Sequence, residues 1–393
     1  MPAVVVGYVI RFPLGAMTLT FLNYLLGLRS LGFEPVFMEP AWPYQPCCYD
    51  VARREVVEDP SYGIAYWQTL LAARGLEGLR WWYRDDDLGD RGMSREAAIS
   101  TLEESAVLLN VGASGWAPEF GRAPRRVLVD CDAPFTQIRL ASGDEYWATF
   151  IDSHDFLATT AVNLADGSAP IPDAGRSWHP TRPPVHVPSF EVSPVPQGPW
   201  TTVTSWNSDR AALWNLEEFR EKDAEYVRLK ELPALLPDQR LELALGGEAP
   251  RSQLLDRGWR LVDSEDVTGT PQRFCEYIAG SRGELAVAKQ AFVRGRTGAA
   301  NDRSLGYLAS GRPVVCSETG LDWLPHGEGL LTFEDAESAA AAVREVEADP
   351  QLHGDAARRL AEEHFSADRV LADLLDAADV QVPAGSSGSR LRS

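Results

Sequence analysis

The residues with the clearest chemical potential lie within 281–315. The segment reads as a strand, a long polar loop with glycines, a helix beginning at Asn301-Asp302-Arg303-Ser304, and a strand entered through Gly311-Arg312-Pro313. A helix start leaves backbone N–H groups without helical partners, and the helix dipole adds positive charge there, so an anion is favoured. Arg294, Arg296 and Arg303 are close in sequence, and guanidinium forks suit phosphate oxygens. A diphosphate is the expected guest. The bland alternative is an ordinary cap with solvated arginines.

Three other features have plainer readings. Asp85-Asp86-Asp87 follows Trp81-Trp82-Tyr83 and fits a solvated acidic turn better than a metal site. Trp42, Pro43 and Tyr44 could stack on a sugar ring or simply pack. Trp178-His179-Pro180-Thr181-Arg182-Pro183-Pro184 fits hinge packing. The five cysteines, Cys47, Cys48, Cys131, Cys275 and Cys316, show neither metal-ligand spacing nor a disulfide framework.

These residues need a scaffold. Residues 3–10 are continuously apolar and valine-rich, as in a strand buried on both faces. A loop with Gly15, leucines at helical spacing over 19–31, a stop at Gly32 and a second strand at 35–38 complete a βαβ unit. Ser94 is a helix N-cap ahead of strands at 107–111 and 126–130. Residues 166–199 are rich in proline, so a domain boundary is placed near their end. Strands are expected beyond it at 201–205, 241–245, 259–262, 284–288, 313–316 and 329–333. They alternate with helices at 216–229, 251–256, 272–279, 302–310 and 335–348. That rhythm predicts α/β architecture: two Rossmann-like doubly wound parallel-sheet domains facing a cleft. The domains expected are 1–195 and 196–365, then a terminal helix over 366–380 packing back on the first domain, and a disordered tail at 381–393.

The chain has 393 residues, ample for two cores, and a formal charge of −20. So acidic a protein repels phosphate backbones, so nucleic acid is not expected as a partner. Only Lys222, Lys230 and Lys289 are lysines among 37 basic residues. No apolar run reaches the roughly 20 residues of a membrane span, and a cytoplasmic location is expected.

The run Tyr307-Leu308-Ala309-Ser310-Gly311-Arg312-Pro313-Val314-Val315, then Glu318-Thr319-Gly320 and Gly327-Glu328-Gly329-Leu330, resembles the donor-binding domain of GT-B glycosyltransferases. The loop Pro13-Leu14-Gly15-Ala16-Met17 resembles their opening unit. The resemblance implies transfer of a sugar from a nucleotide-diphosphate donor, used as co-substrate without cofactor or metal. The acceptor would be a small natural-product or envelope molecule, and a homodimer is a further candidate partner. Asn301, Asp302, Arg303, Ser304, Asn207 and Arg296 would hold the diphosphate. Glu318, Thr319, Gly320 and Val262 would meet sugar and base, and Gly15, Ala16 and Met17 would line the acceptor side. Many retaining members carry a ribose-binding glutamate where Gly306 stands.

Inverting transfer needs a base for the acceptor hydroxyl. Asp132, at a strand end, and His154, beside Asp155, are the candidates, each weighed against a turn aspartate and a core histidine. A nucleotide-sugar 2-epimerase and a non-catalytic auxiliary of a partner transferase remain as alternatives.

Overall fold

The computed structural model describes residues 1–42, 46–206 and 211–383. The chain divides into two compact units, Met1–Cys131 with Glu145–Ala158 and the chain from Ala367 onward, and Asp132–Asp144 with Thr159–Ser366.

The first unit is built on β1 (Pro2–Val6), β2 (Glu34–Pro40), β3 (Arg80–Arg84), β4 (Val107–Val111), β5 (Arg126–Asp130) and β6 (Phe156–Thr159). Their order across the sheet is β3-β2-β1-β4-β5-β6, and β1 to β5 pair in parallel. The strand expected over 3–10 stops at Val6 for a specific reason. Glu39, fully buried at the end of β2, accepts from the amides of Val9 (2.8 Å), Ile10 (2.7 Å) and Arg11 (2.8 Å). Those donors are lost to a sheet ladder, and the chain turns. Arg11 closes the clamp through Nε at 3.1 Å. Burial raises the Glu39 carboxyl, against the opposing pull of Arg11 and the three amides.

The helix Gly15–Ser30 follows that turn, so Gly15, Ala16 and Met17 form its first turn rather than the loop expected of them. The Thr18 hydroxyl donates to the Leu14 carbonyl at 2.8 Å and braces the start. At its other end the helix Ala367–Ala377 comes close enough that a Cβ on Gly27 would stand 2.7 Å from Leu371 and 2.8 Å from Ala367. The helix Ser61–Ala73 and β3 escaped the sequence reading, because arginines flank the apolar centre of β3 and obscure its strand pattern. Trp67 and Trp82 from these elements are fully buried.

The second unit has β7 (Trp200–Ser205), β8 (Leu241–Gly246), β9 (Arg260–Asp263), β10 (Gly283–Ala286), β11 (Val314–Ser317) and β12 (Leu330–Phe333). All pair in parallel, in the order β9-β8-β7-β10-β11-β12. One face packs leucines and Trp200 against the helix Ala336–Ala348. From that helix Glu347 accepts from Trp200 Nε1 at 2.9 Å and from Arg282 at 3.0 and 2.6 Å, so a buried guanidinium and an indole share one carboxylate.

The helix expected over 216–229 is in part a β-hairpin. Ala212–Trp214 and Glu217–Phe219 pair antiparallel about Asn215 and Leu216, both at positive φ, and only Asp223–Leu229 is helical. The proline-rich stretch is not a free linker but part of this unit. Asn163 donates to the carbonyls of Arg296 (2.8 Å) and Gly320 (2.9 Å), Val185 N to Phe365 O (2.8 Å), and Arg182 to His364 O (3.0 Å). No helix among the described residues is long and apolar enough to cross a membrane.

Gly63 tests the packing argument. An alanine there improves helix propensity by about 1 kcal/mol, but its Cβ would lie 1.9 Å from the Ile10 carbonyl oxygen. Backbone cannot yield as a side chain does, so Gly63→Ala should lower stability by about 1–3 kcal/mol in chemical denaturation. A stabilised variant would refute the close approach.

Candidate anion-binding site

In the second unit the chain runs outward in opposite directions from β7 and β10, which lie side by side. Crossovers to either side leave the carboxyl ends of these two strands uncovered, the general location of ligands in open parallel sheets. Three elements converge there. The hairpin after β7 leads to Glu221 and Lys222 ahead of the helix Asp223–Leu229. The turn after β10 carries Lys289, and the helix Asp302–Ala309 supplies its first turn.

Lys222 has the least comfortable position in the unit. It is 7% exposed and makes no ion pair with any described residue. Burial, with the neighbouring cations Arg303 and Lys289, holds its ammonium well below the ordinary lysine range, against Glu284 and Asp302. Glu284, on β10, is equally enclosed. Burial pushes its carboxyl up to about 7, moderated by Ser304, Arg303 and Lys222. Among the described residues, one Glu284 oxygen, Ser304 Oγ and Arg303 Nε are buried without a hydrogen-bond partner. Such atoms cost about 1–3 kcal/mol each when left bare, so a cluster of them marks a place for water or a bound group. The partly open cavity beside Asn301 and Ser304 measures about 30 Å³, enough for water.

The sequence-predicted residues separate in space. Asn301 caps the helix by accepting from Arg303 N at 3.3 Å, and Asp302 Oδ1 accepts from the same amide at 2.8 Å, so this amide is already satisfied. Arg303 and Ser304 stay with the cluster, but the other two arginines leave it. Arg294 donates to Glu218 O at 2.8 Å, beneath the hairpin, and Arg296 faces Asp322 at 3.7 Å. Glu318 folds back on its own turn, accepting from the amides of Gly320 and Leu321. Thr319 donates to Ala299 O at 3.0 Å, and Gly320, at φ +87°, sits against Asn163. Val262 is half-buried in β9, one residue before the strand ends. Asn207, with Pro43 and Tyr44, lies outside the described residues, as do 384–393 of the expected tail. A Cβ on Gly306 would meet Ile278 at 3.0 Å and Phe190 at 3.2 Å, so apolar side chains close the space that a ribose-binding glutamate would need.

The two base candidates fare differently. Asp132 follows β5 and its Oδ1 lies 2.9 Å from Lys289 Nζ. His154 is a core residue. Trp116 and Phe150 contact its ring edge-on, and burial lowers it to about 4. Asn110 Nδ2 donates to Gly115 O at 3.0 Å and lies 3.1 Å from His154 Nε2, so Nε2 accepts and Nδ1 carries the hydrogen toward Phe150 O. A neutral imidazole with both nitrogens engaged cannot serve as a base at neutral pH. Asp155 does not assist it, since that carboxylate grips Arg126 at 2.6 and 2.9 Å.

Sequence reasoning overlooked Lys222, Lys289 and Glu284. A signal for the first two was present: two of only three lysines in an arginine-rich chain occupy this one site.

Residues 228–376 match the glycosyl transferase-like family. No curated protein matches the chain in sequence. Among solved structures it is similar to AviGT4, a glycosyltransferase involved in avilamycin A biosynthesis (12% identity, 96% of this chain and 97% of that one, TM-score 0.53). It is also similar to an alpha-glucosyltransferase in complex with UDP and a 13-mer DNA (11%, 96% and 99%, 0.56). HepE from Anabaena, in complex with UDP and glucose, is a third (10%, 97% and 99%, 0.53). The chain thus has the fold of the GT-B glycosyltransferases, and residues 228–376 carry a glycosyl transferase-like domain.

Proposed function

We propose that the protein transfers a sugar from a nucleoside-diphosphate donor to a small-molecule acceptor, with the donor's diphosphate held at the carboxyl ends of β7 and β10. The observation that carries this reading is Lys222, a buried lysine that makes no ion pair among the described residues, beside an Arg303 Nε that has no hydrogen-bond partner among them. Cations taken out of water are costly unless an anion completes them. A diphosphate supplies that anion. Lys222, Lys289 and Arg303 would stabilise the charge that grows on it as the glycosidic bond breaks, without calling on a metal or further cofactor. UDP is the first nucleotide to try, because two of the similar structures hold it. A natural-product acceptor is supported by the similarity to AviGT4, and the acidic charge argues against DNA. Asp132 would take the acceptor's proton if the reaction inverts the anomeric carbon.

Release of nucleotide from UDP-, GDP- and dTDP-sugars, screened with and without small-molecule acceptors, tests the proposal. One donor should turn over, and Lys222→Met should weaken its binding by about 1.5–3 kcal/mol, the value of a charged hydrogen bond. Nucleotide binding with no turnover on any acceptor would instead favour the auxiliary reading.

The site's ionisations set a pH dependence. Below about 7 Glu284 gains a proton and the site becomes more positive, while Lys222 loses its proton as pH rises past its lowered value. Both changes weaken anion binding as pH increases. Calorimetric affinity for a UDP-sugar, whose diphosphate diester does not titrate here, should therefore fall between pH 6 and 8. Glu284→Gln should flatten the part centred near 7, and an unchanged slope would count against that role.

A further inference from the structure

Of the three cations at the site, Lys289 is the one that carboxylates of the described residues engage: its Nζ lies 2.9 Å from Asp132 Oδ1 and 3.4 Å from Glu221 Oε1. It also sits over the rings of Phe135 (5.2 Å) and Phe292 (5.9 Å). Glu221 is the residue before Lys222, so the acid holding one lysine adjoins the lysine left bare. The Lys289–Asp132 pair keeps about a quarter of each side chain exposed, whereas Lys222 is enclosed.

Resting on the donor reading above, we propose that Asp132 and Glu221 occupy Lys289 as stand-ins for the diphosphate, and that the donor takes this ammonium from Asp132 when it binds. The exchange is physically easy. A lysine carries its charge on a flexible stem with three rotatable donors, so it can turn between partners. A partly exposed pair is weak and readily broken, while a diphosphate presents more charge than one carboxylate. The two aromatic faces hold the ammonium near the site in either state, since a cation is stabilised over a ring whichever anion it faces. Lys222 and Arg303 then bind the donor outright, whereas Lys289 reports its arrival by leaving Asp132.

The exchange requires that removing the competitor strengthens nucleotide binding. In calorimetry with UDP, Asp132→Asn should bind about two- to fivefold tighter than the wild type, the yield of one partly exposed ion pair. Glu221→Gln should shift affinity the same way. Lys289→Gln should bind more weakly, and Asp132→Asn added to it should then change nothing. The three lysines permit a direct second reading by NMR with lysine labelled at the ε carbon. The Lys289 signal should move on UDP addition and, without UDP, in Asp132→Asn. UDP binding that Asp132→Asn leaves equal or weaker, or a tightening that survives Lys289→Gln, overturns the exchange alone. If the wild type binds no nucleoside diphosphate, the donor reading falls as well.

Discussion

The handedness of the crossover between parallel strands governs what this protein can do. With every crossover right-handed, reversing the direction of strand addition moves the connecting helices to the opposite face of the sheet. The order β9-β8-β7-β10-β11-β12 contains that reversal, and it leaves the carboxyl ends of β7 and β10 without a covering helix. Groups placed there can remain incompletely satisfied by the protein. Lys222, Arg303 and Glu284 are such groups, and their discomfort is tolerable only because a ligand or water can share it.

Two buried carboxylates elsewhere in the fold are closely held, and the contrast with the site is informative. Glu39 takes three backbone amides and a guanidinium, and Glu347 takes an indole and a guanidinium. These carboxylates act as internal fasteners. One ends a strand, and the other ties Trp200 and Arg282 to a helix. Among the described residues Lys222 makes no ion pair and Arg303 Nε has no hydrogen-bond partner, so these two lack equivalent closure.

Motif and chemistry come apart along the same line. Arg294, Arg296 and Glu318 looked suited to a ligand in sequence, yet Arg294 turns to the Glu218 carbonyl, Arg296 to Asp322 and Glu318 to the amides of its own turn. His154, a residue type often assigned to catalysis, is a neutral core ring. Gly306 is small because Phe190 and Ile278 press on it. Except for Glu318, which its own turn holds, a neighbour distant in sequence decided the role.

Periodicity was enough to read the alternation of strands and helices after residue 200, because buried parallel strands are continuous apolar runs bounded by glycine and proline. It also placed the Ser94 cap, the βαβ opening and the polar helix start at Asn301, all of which depend on contacts within a few residues. What it missed depended on long-range partners. The end of β1 is set by a carboxylate 28 to 30 residues away, and the hairpin at 212–219 by a turn with two non-glycine residues at positive φ. Lys222, Lys289 and Glu284 come from three elements that meet only when β10 is inserted beside β7. Local spacing encodes which face of an element is apolar. Which charges face one another, and which are left unanswered, is set by the order in which the strands assemble.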